Sequence, residues 1–155
     1  MPTTLDAAGM RALIDEHSGC ELDHNWEGAL ATMIPAPHYE FYPYRLRISG
    51  AEAITEMWSR IFSDNGTLRC FDIAHSDLDA HEGFGLVGDD SIVDIMKSVF
   101  RAEDGEIRRA STVVWYRFED DRMMSETLWV DATLVPYLDT VFDESFRALP
   151  GVETI

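Results

Sequence analysis

The sequence predicts an α+β domain in which helices come first and pack on a mostly antiparallel sheet. Three observations carry that expectation. Apolar residues recur at helical spacing near the N-terminus; a helix-start pattern stands at Ser49-Gly50-Ala51-Glu52; and from Ile92 onward long alternating runs are separated by short polar turns.

Taken in order, the opening has Thr3 or Thr4 as its expected cap, with Met10, Leu13, Ile14 and His17 following at helical spacing. Ser18-Gly19 weakens the pattern, and Trp26, Leu30 and Met33 resume it. Pro35 and Pro37, which have no N–H to give a helix ladder, are the expected stop. The opening is therefore one kinked helix or two short ones. His38 to Arg47 is aromatic and extended in character, and Pro43 within it points to an edge strand or a bulged hairpin.

Ser49 then has the position of an N-cap with Glu52 reaching back to it, and Ala53, Ile54, Met57, Trp58, Ile61 and Phe62 fall on one face of the helix that follows. Asp64-Asn65-Gly66 ends it. Strands are expected near Leu68 to His75, at Ile92 to Ala102, at Ile107 to Phe118 and at Met123 to Asp131. Asp104-Gly105 and Glu119-Asp120-Asp121-Arg122 supply the turns of an antiparallel meander. Ser76 to Asp90, rich in Asp and Gly, is a loop or a weak strand around Gly83 to Val87. Leu138, Val141, Phe142, Phe146 and Leu149 make the tail amphipathic, so it is expected to lie over the domain or a partner subunit.

The 155 residues suffice for one hydrophobic core, placed at about residues 5–135 with the tail at 136–155. Twelve Lys+Arg against 29 Asp+Glu give a net charge of -17, a sign that repels phosphate backbones and anionic lipid, so neither nucleic acid nor membrane is an expected partner. No apolar run approaches the roughly 18 residues of a membrane span. Met1-Pro2-Thr3-Thr4-Leu5-Asp6 lacks the basic and apolar regions of a signal peptide, which makes the cytoplasm the expected location. Cys20 and Cys70 are the two cysteines, too few for a zinc-type cluster and expected to be reduced thiols.

The run after Trp26, EGALATMIPAPHYEFYPYRLRISGAEAITEMWSRIF, resembles the opening of the nuclear transport factor 2-like superfamily, of SnoaL-like type: a helix, an aromatic strand, then Gly50-Ala51-Glu52-Ala53-Ile54. FEDDRMMSETLWVD resembles its closing hairpin, with an acidic turn and a terminal Asp. The resemblance covers most of residues 10–135. It implies a cystatin-like α+β cone, a strongly curved sheet and helices around an apolar pocket for a small hydrophobic molecule, and commonly a homodimer. It leaves activity open, since the superfamily includes isomerases, dehydratases, epoxide hydrolases, polyketide cyclases and proteins without chemistry.

Residue by residue, Tyr42 falls where the isomerases place an Asp general base, and a neutral tyrosine is a poor base. The Arg-x-Asp pair of the epoxide hydrolases does not occur. A dehydratase-like arrangement would use His75 with Tyr42 or Tyr44, and a cyclase-like one needs little more than a carboxyl group in an apolar pocket. Asp94 alternates with Ile92, Met96 and Phe100, and Glu126 with Met124, Leu128 and Val130, so each is an acid on an apolar strand face. Inside a pocket such a carboxyl becomes a general acid or base. On the outside it is a solvated or salt-bridged acid, with Lys97, Arg108 or Arg109 as partners. The face opposite Asp94 is also apolar, and periodicity leaves both open.

The expected catalytic set is thus Asp94 or Glu126 as acid/base, His75 as second proton carrier and Tyr42 as donor to a substrate oxygen. Trp26, Tyr44, Trp115 and Trp129 are candidate aromatic walls, each competing with a plain packing role. His17, Cys20 and His24 fall at i, i+3 and i+7, but lack a fourth ligand and are expected to be helix-surface or dimer-contact residues; no metal or organic cofactor is expected. The function so implied is a cofactor-independent isomerase, cyclase or dehydratase acting on a hydrophobic, carbonyl-bearing molecule. A binding domain or a protein-interaction module on the same fold is the alternative.

Overall fold

A computed structural model describes residues 2–62, 71–73, 86–101 and 104–155. Helix α1 (Ala7–Leu22) starts where the Asp6 carboxylate accepts a hydrogen bond from the Gly9 N–H at 2.8 Å, rather than at Thr3 or Thr4. Thr4 is instead held to the carbonyl of Asp120 at 2.7 Å. The chain resolves the opening as two helices: α1 runs through Ser18-Gly19, and α2 (Trp26–Ala31) is capped by the side chain of Asn25.

Pro35 and Pro37 do not mark the helix end. They lie inside strand β1 (Met33–Tyr42), where its pairing with β7 (Arg122–Trp129) shifts register between Met33 and His38. A bulge tolerates residues that cannot donate to a ladder. Nor is β1 an edge strand: it lies between β7 and β2 (Leu46–Ser49), because Pro43 falls in the turn after β1 rather than within it. Helix α3 (Ala51–Ile61) follows with Gly50 at its N-cap and no side-chain cap, since Ser49 is the last residue of β2.

The remaining strands are β3 (Phe71–Ile73), β4 (Leu86–Val87), β5 (Ser91–Arg101), β6 (Ile107–Glu119) and, at the C-terminal end, β8 (Val152–Thr154). They form a curved, unclosed sheet in the order β3-β5-β6-β7-β1-β2-β8, with β4 also on β5. All its ladders are antiparallel except β1 with β7. Strand β8 leaves no periodic trace in the sequence. It is held because Gly151, at φ +87°, lets the backbone approach β2 so closely that an added Cβ would lie 2.3 Å from the Ser49 carbonyl oxygen.

After β7 a 3-10 turn at Ala132–Leu134 leads into α4 (Val135–Val141) and α5 (Glu144–Arg147). Leu138, Val141, Phe142 and Phe146 of the tail are buried in the chain's own core. Helix α3 contributes Ile54, Met57 and Trp58 to that core, each at most 1% exposed and each worth about 1.5–3 kcal/mol on burial. No helix among the described residues is long and apolar enough to cross a membrane. The helices cover one sheet face, which settles the open parity: Ile92 and Asp94 on β5, Val114 and Tyr116 on β6, Glu126 and Leu128 on β7, and Tyr39 and Phe41 on β1 are all buried.

Candidate functional site

Between that inner face and helices α1, α3 and α4 lies a partly open cavity, a concave and mostly apolar space of the kind small-molecule sites use. Its walls are apolar over most of their extent, with Phe41, Met57, Ile61, Leu128, Leu134 and Leu138 among them. Glu126 enters the lining from β7, Glu21 from α1 and Tyr39 from β1.

Pairing geometry brings them together. Tyr39 is the register partner of Glu126 across the parallel ladder, and Tyr116 is its partner on the other side. Side chains of adjacent strands at one register project from the same face, so Glu126 is flanked by two phenols. The Tyr39 hydroxyl donates to Glu126 Oε1 at 3.1 Å and is 3.2 Å from Glu21 Oε1.

Behind this pair stands His17, which is wholly buried. One helical turn separates it from Glu21, the i,i+4 spacing that lets two side chains meet. His17 Nε2 lies 2.8 Å from the Tyr39 hydroxyl, 3.2 Å from Glu21 Oε1 and 3.4 Å from Glu126 Oε1. Its Nδ1 lies 2.7 Å from Thr32 Oγ1 and 3.2 Å from the Ala29 carbonyl oxygen. The Thr32 hydroxyl spends its proton on that same carbonyl, at 2.6 Å. Nδ1 must therefore carry a hydrogen, which fixes the ring and leaves Nε2 turned toward the two carboxylates.

The electrostatics follow from burial without a Lys or Arg partner. Burial first, then the neighbouring Glu21, raise the Glu126 carboxyl to about 8; His17 and the Tyr39 hydrogen bond offset part of this. Burial alone would lower the pKa of His17, but Glu21 and Glu126 outweigh it and raise it. The Tyr39 phenol is driven well up by burial and the two acids, so it stays a donor. At neutral pH Glu126 keeps its proton beside His17, a carboxylic acid poised at the wall of an apolar cavity. The donor atoms of His17, Glu21 and Glu126 also lie within 4.8 Å of one another, close enough for one cation, and hydrogen bonds among themselves and with Tyr39 already occupy them.

The other candidates fall elsewhere. Asp94 is buried on the inner face but outside the cavity lining; its carboxylate accepts from the Ile95 N–H at 2.8 Å and lies 3.6 Å from Arg11 on α1, a partner other than Lys97, Arg108 or Arg109. Tyr42 lies one residue beyond Phe41 and so faces outward, its ring stacked 5.7 Å from that of Trp129, which is 43% exposed. Trp115 carries the Arg117 guanidinium 4.8 Å from its ring centre. Tyr44 ties the β1–β2 turn to α4 by donating to the Val135 carbonyl at 2.9 Å. Trp26 stacks between His24 and Trp58, behind the cavity wall rather than on it. His75 lies outside the described residues. His17, Cys20 and His24 are not brought together as a set, since His24 turns to Trp26 while His17 faces the sheet.

Sequence reasoning missed His17, Glu21 and Tyr39 as members of this site. The available signal was His17 itself, a polar residue on the apolar stripe of Met10, Leu13 and Ile14, followed one turn later by Glu21.

The fold and this lined cavity define a protein with the nuclear transport factor 2-like fold. Solved structures carry that statement. A nuclear transport factor 2-like protein from Burkholderia xenovorans matches with a TM-score of 0.65 at 8% identity, covering 85% of this chain and 97% of the other. A protein assigned as a SnoaL-like polyketide cyclase from Shewanella denitrificans matches at 0.61 and 15%, covering 87% and 99%. TerC, co-crystallised with polyporic acid, matches at 0.65 and 14%, covering 87% and 99%. Identities this low show the fold alone. No protein-family model matches the chain, and no curated relative matches its sequence.

Proposed function

We propose that the protein is an acid–base enzyme of isomerase or lyase type acting on a hydrophobic, carbonyl-bearing small molecule, with Glu126 as the group that gives and takes the proton. The observation that carries this reading is the Glu126 carboxyl, buried at the apolar cavity wall and held by Tyr39 and His17 rather than by a cation of the Lys or Arg type. In the forward step the Glu126 O–H protonates the substrate carbonyl oxygen. The carboxylate left behind is stabilised by the Tyr39 O–H and by His17 Nε2–H, and it then removes a proton from the carbon next to the carbonyl, which restores the acid. The names of two structural neighbours, a polyketide cyclase and a protein crystallised with polyporic acid, are in keeping with a small organic substrate.

The test is hydrogen exchange. Neutral aryl ketones and enones incubated with the protein in D2O are expected to gain deuterium beside the carbonyl, read by NMR, and Glu126→Gln is expected to slow this by roughly a hundred- to ten-thousandfold. Retention of ketones without exchange, unchanged in the Gln variant, would leave a binding protein in place of an enzyme.

The same reading includes a homodimer through the outer sheet face, supported by Trp129 and Val113, register partners that are 43% and 38% exposed. Light scattering is expected to give twice the chain mass, and Trp129→Glu half of that. A wild-type monomer would rule the dimer out.

A further inference from the structure

Two buried polar atoms among the described residues have no hydrogen-bond partner, Trp58 Nε1 and Thr112 Oγ1, and both belong to residues that line the cavity. Each residue is 1% exposed. A buried donor left unmade is costly, and native proteins keep few of them without a reason. Tyr39 is near enough to feel the Trp58 N–H but is not placed to accept from it. Nor do the two orphans sit together. Trp58 packs 5.7 Å from the His17 ring and 6.1 Å from that of Tyr39, at the Glu126 end. Thr112 lies on β6 four residues before Tyr116, the register partner of Glu126, which places it about 13 Å further along the strand.

We infer that the cavity recognises an uncharged ligand with an oxygen function at each end, one accepting from Trp58 Nε1–H beside Glu126 and the other bonded to the Thr112 hydroxyl. Charge argues for the uncharged form. The described lining residues include two acids, Glu21 and Glu126, and no Lys, Arg or His, so a carboxylate or phosphate would enter an apolar space with no lining cation to pair with it. The aromatic and aliphatic walls between the two anchors fit a flat apolar body. Trp58 is then a positioning residue for the carbonyl that Glu126 protonates, and Thr112 sets the ligand's length. This rests on the cavity being the substrate site.

Three probes test it by titration calorimetry: 4-acetyl-4′-hydroxybiphenyl, unsubstituted biphenyl and biphenyl-4,4′-dicarboxylate. The ketone–phenol is expected to bind tighter than biphenyl, and each of Trp58→Phe and Thr112→Val to weaken it roughly three- to tenfold while leaving biphenyl unchanged. Biphenyl binding by Trp58→Phe shows that the cavity survives the change, and the near-isosteric Thr112→Val carries the argument if it does not. Equal affinity of the ketone–phenol for wild type and both variants, or tighter binding of the dicarboxylate, overturns the two anchors while the cavity stands. Failure of all three probes removes the cavity as a ligand site, and the anchors with it.

Discussion

Glu126 and Glu40 stand one register step apart on adjacent strands, yet the two faces of the sheet treat them in opposite ways. Glu40 faces outward opposite Thr127, where Arg47 reaches its carboxylate with Nη2 at 2.7 Å and Nε at 3.1 Å. Glu126 faces inward, where an imidazole, a phenol and a second acid surround it. On the outer face Arg47 answers Glu40, and Arg117 covers the ring of Trp115. The inner cluster balances its charge with protons. An acid matched by arginine is a surface feature, whereas one matched by a proton can give that proton away.

Removing the inner cluster's base gives the largest expected effect on stability. His17→Leu leaves two buried acids and the Thr32 hydroxyl without their partner and is expected to cost about 3–5 kcal/mol in urea unfolding at neutral pH. A loss below about 1 kcal/mol would show that the inner cluster is no more coupled than the outer pairs.

Next comes pH. Glu126, raised by burial from its ordinary 4.5 to about 8, keeps a proton in the folded chain that the unfolded chain releases. Its stabilising contribution is full below about pH 4.5 and is lost as pH rises through about 8. His17, with its folded pKa raised above 6.5 by the two acids despite burial, has the same sign: its contribution is present below 6.5 and lost as pH rises through the folded value. Melting temperatures are therefore expected to fall from pH 5 to pH 8, and Glu126→Gln, which keeps the shape without the titration, is expected to flatten the curve. Parallel curves for the two proteins would refute it.

The smallest effect lies outside. Arg47→Ala is expected to cost at most about 1 kcal/mol by urea unfolding, because the Arg47 side chain is 41% exposed and water screens its pairs. A larger loss would erase the contrast between the faces.

What the sequence made legible follows the same division. Alternation along β5, β6 and β7 and the acidic turn at Glu119–Arg122 are local, and they gave the meander to within a residue or two. Glu126 was visible as an acid on an apolar face. Its partners were not, because Tyr39 lies 87 positions away and His17 on the N-terminal helix α1. From HYEFYPY alone, Tyr42 and Tyr44 look as suitable as Tyr39; the parity is decided by which face α1 and α3 cover, and that is a tertiary fact. The misplaced helix start at Ser49 has a similar origin, since its backbone N–H is drawn at 2.8 Å to Gly151, just before the distant strand β8, which has no periodic signal.

The parallel pairing of β1 with β7 has a further consequence, for the order of events in folding. It joins an early strand to one that leaves the ribosome long afterward, so the contact of Tyr39 with Glu126 is non-local, spanning 87 positions of chain. Between about pH 5 and 8 that encounter draws a proton from the solvent onto Glu126. Refolding in this range is a proton-consuming reaction, and the moment of uptake, followed with a pH-sensitive dye, clocks the closure of the cavity itself.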